Sequence, residues 1–174
     1  MLFRSIYAAG CPHRCVGCHN PQSWKKENGS LWSIDSILEK IKQADFANVT
    51  FSGGDPLMQV DAFTELAKRI RKETGKTIWC YTGYLYEEVV ASPSLSQILP
   101  YINVLVDGYY IETLRDESLR FRGSSNQRII NVQESLLAGQ TLFWNNEPYF
   151  NTRTSNSTPL GNPLASRSAC FAET

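Results

Sequence analysis

The chain has 174 residues, which suits one domain large enough to bury a proper core. Lys plus Arg and Asp plus Glu balance at 17 each, which excludes a nucleic-acid or membrane-surface protein working by bulk charge. No apolar run approaches a membrane span, and residues 1–5 show no basic region leading into a long apolar stretch, so neither a membrane protein nor a secretory signal is read here.

Residues 2–9 are mostly apolar, with Phe3, Ile6 and Tyr7, and predict a buried strand. Cys11-Pro12-His13-Arg14-Cys15-Val16-Gly17-Cys18 follows directly. Asn28-Gly29 marks a turn, and Ser33 is a plausible N-cap for a helix with Ile34, Ile37, Leu38 and Ile41 on one face. A second strand over 47–51 ends in Ser52-Gly53-Gly54-Asp55-Pro56. A helix over 60–74 places Phe63, Leu66, Ala67 and Ile70 together and is stopped by Gly75. A third strand, 77–81, ends at Thr82-Gly83-Tyr84. Short helical pieces over 85–90 and 95–99 are interrupted at Pro93, and a fourth strand, 102–106, ends at Asp107-Gly108.

Beyond this point the pattern weakens. Residues 114–122 read as irregular or helical, 127–132 as a fifth strand, and 133–138 as a short helix. Leu142-Phe143-Trp144 and Pro148-Tyr149-Phe150 flank Asn145-Asn146-Glu147 and suggest a small hairpin. From Asn151 onward Asn, Thr, Ser, Pro and Gly dominate, so the expectation is a single domain over 1–150 and a flexible tail over 151–174.

Strands alternating with helical segments imply parallel βαβ units, whose ligands gather at the carboxyl ends of the strands. The cysteine loop, the Gly53-Gly54-Asp55-Pro56 turn, Thr82-Gly83-Tyr84 and Asp107-Gly108 each follow a strand, so all four belong on one sheet edge. That edge is the expected active site.

Five cysteines, three of them clustered as C-x₃-C-x₂-C, make a poor disulfide framework and a plausible metal site in a reducing, cytoplasmic compartment. A structural zinc site needs a fourth ligand, which only His13 or His19 would supply nearby. In a cubane cluster three thiolates leave one iron open to a substrate or cofactor. The spacing favours the cluster over a zinc-binding interaction module. Gly10 and Gly17 permit the turns that wrapping requires, and Gly53-Gly54 lets backbone approach a ligand closely. Cys80, inside a predicted strand, reads as a buried residue, and Cys170 lies in the tail. Asp107-Gly108 reads either as an ordinary turn or as a polar group beside a ligand.

The order of these motifs resembles the radical S-adenosylmethionine superfamily. Cys18-His19-Asn20-Pro21-Gln22-Ser23-Trp24, Trp79-Cys80-Tyr81-Thr82-Gly83-Tyr84, Asn103-Val104-Leu105-Val106-Asp107-Gly108 and Arg122-Gly123-Ser124-Ser125-Asn126-Gln127-Arg128 are similar, more narrowly, to its glycyl-radical activases for anaerobic ribonucleoside-triphosphate reductase. The resemblance covers residues 4–137. It implies an incomplete (partial) βα barrel of parallel strands. It also implies a 4Fe-4S cluster on Cys11, Cys15 and Cys18, with S-adenosyl-L-methionine chelating the fourth iron. Gly17, Cys18, His19 and Gly54 would lie against that cofactor, and Gly53 and Asp55 would receive its amino group. The implied partners are the large subunit of the reductase, which would carry the glycyl radical, and a flavodoxin-like electron donor. Tyr81, Thr82 and Tyr84 are candidates for the adenosyl pocket, and residues 122–128 for the partner surface. Family members usually carry a longer segment before the first strand than the ten residues that precede Cys11 here, so a truncated N-terminal segment is expected. The neighbouring alternative is an activase of another glycyl-radical enzyme.

Overall fold

The computed structural model describes residues 3–44, 47–144 and 168–172. Its elements, in chain order, are β1 (Phe3–Ala8), β2 (Gly29–Ser33), α1 (Ile34–Lys42), β3 (Asn48–Gly53), α2 (Val60–Thr74), β4 (Ile78–Tyr81), α3 (Tyr86–Ala91), β5 (Val104–Asp107), β6 (Arg128–Asn131), α4 (Val132–Ala138) and β7 (Ser168–Ala172), with short 3₁₀ turns between several of them. The fold is mixed α/β, a seven-stranded sheet in the order β2-β7-β1-β3-β4-β5-β6.

Helix ends fall where side-chain chemistry places them. The Ser33 hydroxyl accepts the Ser36 N–H at 3.2 Å and caps α1. Gly75, at φ +66°, takes the left-handed conformation that ends α2. The apolar residues expected on α1 and α2 are all buried, and the Phe51 and Phe63 rings meet edge to face at 5.0 Å.

Strand alternation sorts the rest of the core. Ile78, Cys80, Leu105 and Ile130 point to the helix-covered face, whereas Trp79, Val104, Val106 and Ile129 point to the other, joined there by Tyr81 and Trp144. Phe121 closes on this second group, 5.1 Å from Trp79. One face of the sheet is thus covered by helices and the other by a small aromatic layer.

The centre of the sheet, β1-β3-β4-β5, is parallel, as the βαβ reading requires. The edges are not, and this corrects the expectation of parallel strands throughout. Strand β6 pairs antiparallel with β5. The connection between them, 108–127, contains only the 3₁₀ turn Glu112–Leu114, and without a crossover helix the chain returns beside the strand it left. Strand β2 is also new: the sequence suggested only a turn there. Within the segment expected to be a tail, β7 pairs antiparallel with both β2 and β1. Residues 145–150 of the expected hairpin, and the tail apart from β7, lie outside the described residues; Phe143 does bridge to Ile130.

Asp107, fully buried at the end of β5, holds this edge together. It accepts the backbone N–H of Tyr86 at 2.7 Å and the Arg128 Nε at 3.0 Å. Arg128 reaches on to Glu87 at 2.6 and 3.1 Å. Asp107 is therefore a structural clamp between α3, β5 and β6, not a group facing a ligand. Asp107→Ala leaves the Tyr86 amide and a half-buried guanidinium short of a partner, and should cost about 3 kcal/mol in chemical denaturation.

The Arg128 guanidinium, helped by the Thr141 hydroxyl, draws the Glu87 carboxyl down to about 2. A carboxylate depressed on folding contributes stability above its ordinary value, near 4.5, and loses it as pH falls toward the folded value. Between those limits the native protein should lose stability more steeply on acidification than Glu87→Gln does. Because Glu87 is more than half exposed, the difference should stay below about 1 kcal/mol in thermal melts at successive pH values.

Candidate functional site

The cysteine loop and the Gly53-Gly54 turn continue the β1–β3 pairing beyond the strands. Gly54 N–H donates to Ala8 O at 2.7 Å, and Asp55 N–H to Gly10 O at 2.8 Å. The loop is closed from behind by Gly10 N–H to Ser23 O at 2.7 Å and Cys11 N–H to Trp24 O at 3.0 Å. A methyl on Gly54 would overlap the Gly10 carbonyl. Gly53 sits at φ +96°, with the Ala8 backbone against it. The sequence reading assigned this pair to close approach of a ligand; what approaches closely in the structure is the cysteine loop itself.

Cys11, Cys15 and Cys18 are free and half-buried. Cys18 N–H donates to Cys15 O at 3.2 Å, and Asn20 N–H donates to the Cys18 sulfur at 3.4 Å. Burial pushes the Cys11 thiol above its ordinary value, and the nearby Asp55 and Cys15 charges add to this; the backbone N–H groups of His13 and Arg14 pull against them. Among the described residues no three His, Cys, Asp or Glu side chains converge on a single metal position. Neither histidine completes a tetrahedral set. His13 Nε2 is bonded to Asp55 at 2.6 Å, and the exposed His19 ring leans on Tyr110 at 5.0 Å. Three soft thiols on one loop with an amide already on one sulfur suit an iron–sulfur cluster with an open iron better than zinc.

Asp55 was expected at the cofactor's amino group. Its carboxylate is instead 1% exposed and fully engaged. It accepts Leu57 N–H at 2.9 Å, the Thr82 hydroxyl at 2.9 Å, Gly83 N–H at 3.0 Å and the His13 ring. Thr82 therefore belongs to the framework rather than to a pocket wall, and Tyr84 packs edge-on against His13 at 4.6 Å. Arg122 donates to Gln127 O at 2.6 Å.

A cleft of about 340 Å³ opens where these loops meet, lined among others by Cys18, His19, Gly53, Tyr81, Tyr110 and Phe121. It brings together the cysteine loop, the end of β3 and the end of β4, as the strand-end argument required. Tyr110 and Phe121 were not foreseen. They come from the irregular stretch after β5, where periodicity carries no signal, and only the Tyr109-Tyr110 pair hints at a wall. The same stretch settles on the cysteine loop at Gly17, which sits at φ +75° with the Glu112 carboxylate where a side chain would stand.

An α/β sheet with a three-cysteine loop at the carboxyl ends of its parallel strands, beside an open cleft, defines an iron–sulfur protein with room for a second ligand. Residues 3–130 match the family model of the 4Fe-4S single cluster domain. The chain is 38% identical over 137 residues to an anaerobic ribonucleoside-triphosphate reductase-activating protein of Escherichia coli K12, covering 74% of this chain and 88% of that protein. A protein of the same name from Haemophilus influenzae is 36% identical over 135 residues, covering 72% and 84%. One from Enterobacteria phage T4 is 31% identical over 130 residues, covering 71% and 80%. The chain belongs to the family of 4Fe-4S anaerobic ribonucleoside-triphosphate reductase-activating proteins.

The glycine argument separates two substitutions. Gly75 has open space around it, so Gly75→Ala should cost about 1 kcal/mol, the strain of a left-handed residue alone. Gly54→Ala must push the cysteine loop away and should cost about 3 kcal/mol or more. Urea unfolding of the metal-free proteins measures both.

Proposed function

We propose that this protein activates anaerobic ribonucleoside-triphosphate reductase by reductive cleavage of S-adenosyl-L-methionine at a 4Fe-4S cluster, leaving a glycyl radical on the large subunit of the reductase. The observation that carries this reading is the loop bearing Cys11, Cys15 and Cys18 beside a cleft built from strand ends, which Cys18 lines. The relatives' shared name supplies the target.

Cys11, Cys15 and Cys18 would hold the cluster. When bound, it supplies the one electron that splits S-adenosylmethionine into methionine and a 5′-deoxyadenosyl radical. The residues of this chain position and shield. By the family resemblance the cofactor would lie along Gly17, Cys18, His19 and Gly54, of which Cys18 and His19 line the cleft, and Gly53 with the turn that Asp55 braces would receive its amino group. Asp55 contributes by holding that turn, because its carboxylate is already committed. Tyr81, Tyr110 and Phe121 wall the cleft and would limit the access of water to a cofactor bound there. The hydrogen atom would be taken from a glycine of the reductase.

In this reading the parallel strands, helix-covered on one face with the cleft at their ends, are part of an incomplete βα barrel of the radical S-adenosylmethionine type, and its single domain is the expected residues 1–150 joined by β7, which pairs within the same sheet. The workplace is the cytoplasm, where thiols stay reduced, and the electron donor is flavodoxin-like. No described helix is long and apolar enough to cross a membrane.

Anaerobic reconstitution should give a brown, oxygen-sensitive protein that makes 5′-deoxyadenosine. Cys11→Ala, Cys15→Ala and Cys18→Ala should each abolish this, while Cys80→Ala, buried in the core, should keep it. With reductant, cofactor and reductase, electron paramagnetic resonance should show the glycyl radical. A colourless zinc-loaded protein, or cleavage surviving in the loop variants, would sink the assignment.

A further inference from the structure

We propose that Arg14, Lys25 and Lys26 form the face through which the electron enters, and that its occupant is the acidic surface of a small one-electron carrier protein. The inference rests on the cluster reading above.

The cleft takes up only part of the surface around the cysteine loop, where Cys18, His19 and Asn20 line it. Elsewhere the loop is held against two 3₁₀ turns, Pro21–Trp24 and Lys26–Asn28, by Gly10 N–H to Ser23 O and Cys11 N–H to Trp24 O. Lys25 and Lys26 stand on these turns, and both are exposed. The Lys26 stem and the Met58 sulfur lie over Gly10, where a methyl would meet them at 2.8 and 3.0 Å. One cation is thus packed beside the residue that precedes Cys11. Arg14, between Cys11 and Cys15, is also exposed and sits in the left-handed region at φ +48°. Glycine would hold that turn without strain; arginine holds it strained and adds a charge. None of these three cations is among the residues that line the cleft.

The local balance is positive. Between residues 10 and 28, Arg14, Lys25 and Lys26 are opposed by Glu27 alone, in a chain whose charges balance overall. The acids that other elements bring close are already engaged: Asp55 is buried on His13, and Glu112, over Gly17, hydrogen-bonds the Tyr110 hydroxyl. Salt screens exposed charge within about 8 Å, so this surplus acts on a partner in contact. The cleft has to hold the cofactor and admit the reductase glycine, which leaves the electron to arrive outside it. A carrier must also dock briefly and leave, and complementary charge speeds such encounters without a large buried area. In the step, the carrier is oxidised by one electron and the cluster is reduced by one.

The test is stopped-flow reduction of the anaerobically reconstituted protein by reduced flavodoxin, read from bleaching of the cluster's visible absorbance. Lys25→Glu/Lys26→Glu should slow this step on the order of tenfold at low salt, with the gap closing as ionic strength rises. With photoreduced 5-deazaflavin, a small reductant that needs no docking surface, the same variant should make 5′-deoxyadenosine at the wild-type rate. Lys68→Glu/Lys72→Glu, an equal charge change at exposed positions of α2, should leave the flavodoxin step unmoved. A wild-type flavodoxin rate in Lys25→Glu/Lys26→Glu overturns the inference, as does an equal loss in Lys68→Glu/Lys72→Glu. So does a variant that keeps the flavodoxin rate and loses only glycyl-radical transfer, which would give the face to the reductase. Should Lys25→Glu/Lys26→Glu fail to fold, the wild type alone decides: a flavodoxin rate falling steeply with salt supports the proposal, and a salt-independent rate overturns it. A wild type that binds no cluster would instead overturn the cluster reading itself, which separates the two failures.

Discussion

The organisation of this end of the molecule depends on one buried carboxylate. Asp55 accepts hydrogen bonds from three loops that follow three different strands: its own turn through Leu57, the β4 loop through Thr82 and Gly83, and the cysteine loop through His13. A buried carboxylate with fewer partners would leave oxygens without hydrogen bonds, at a cost to stability. Here every lone-pair direction is occupied, so the loops are fixed relative to one another before any ligand arrives. Preorganisation of this kind avoids an ordering cost at the moment of binding.

The sheet serves the same end. Its helix-covered face carries most of the hydrophobic core, which stiffens the parallel strands whose ends carry the loops. The opposite face carries a thin aromatic layer of Trp79, Phe121 and Trp144, and the cleft begins where that layer meets Tyr81. Polar clamps take over at the edge, where Asp107 and Arg128 join an antiparallel strand to a parallel one.

Helices α1 and α2 were legible nearly to the residue, because a buried face at helical spacing, a serine cap and a terminal glycine all agree. The parallel centre and the clustering of strand-end loops followed from element order alone. Strand β2 was not legible, since it is short and its Leu31 is 74% exposed, so no alternation announces it. The direction of β6 was hidden too: four residues do not encode a direction, and only the lack of a helix before them does. The three clustered cysteines stood out by spacing, whereas the role of Asp55 depends on His13 and Thr82, 42 and 27 residues away. Such pairings are invisible to periodicity, and that is why a framework residue was read as a cofactor contact.

The burial that raises the Cys11 thiol above its ordinary value has a bearing on how the loop meets oxidants. A thiolate, not a thiol, attacks disulfides and peroxides, so the upward shift slows oxidation at Cys11. On the proposed reading, iron binding at Cys11 would release that proton, which would couple assembly to pH. The same burial that discourages oxidation of Cys11 would therefore make cluster binding there a proton-releasing step.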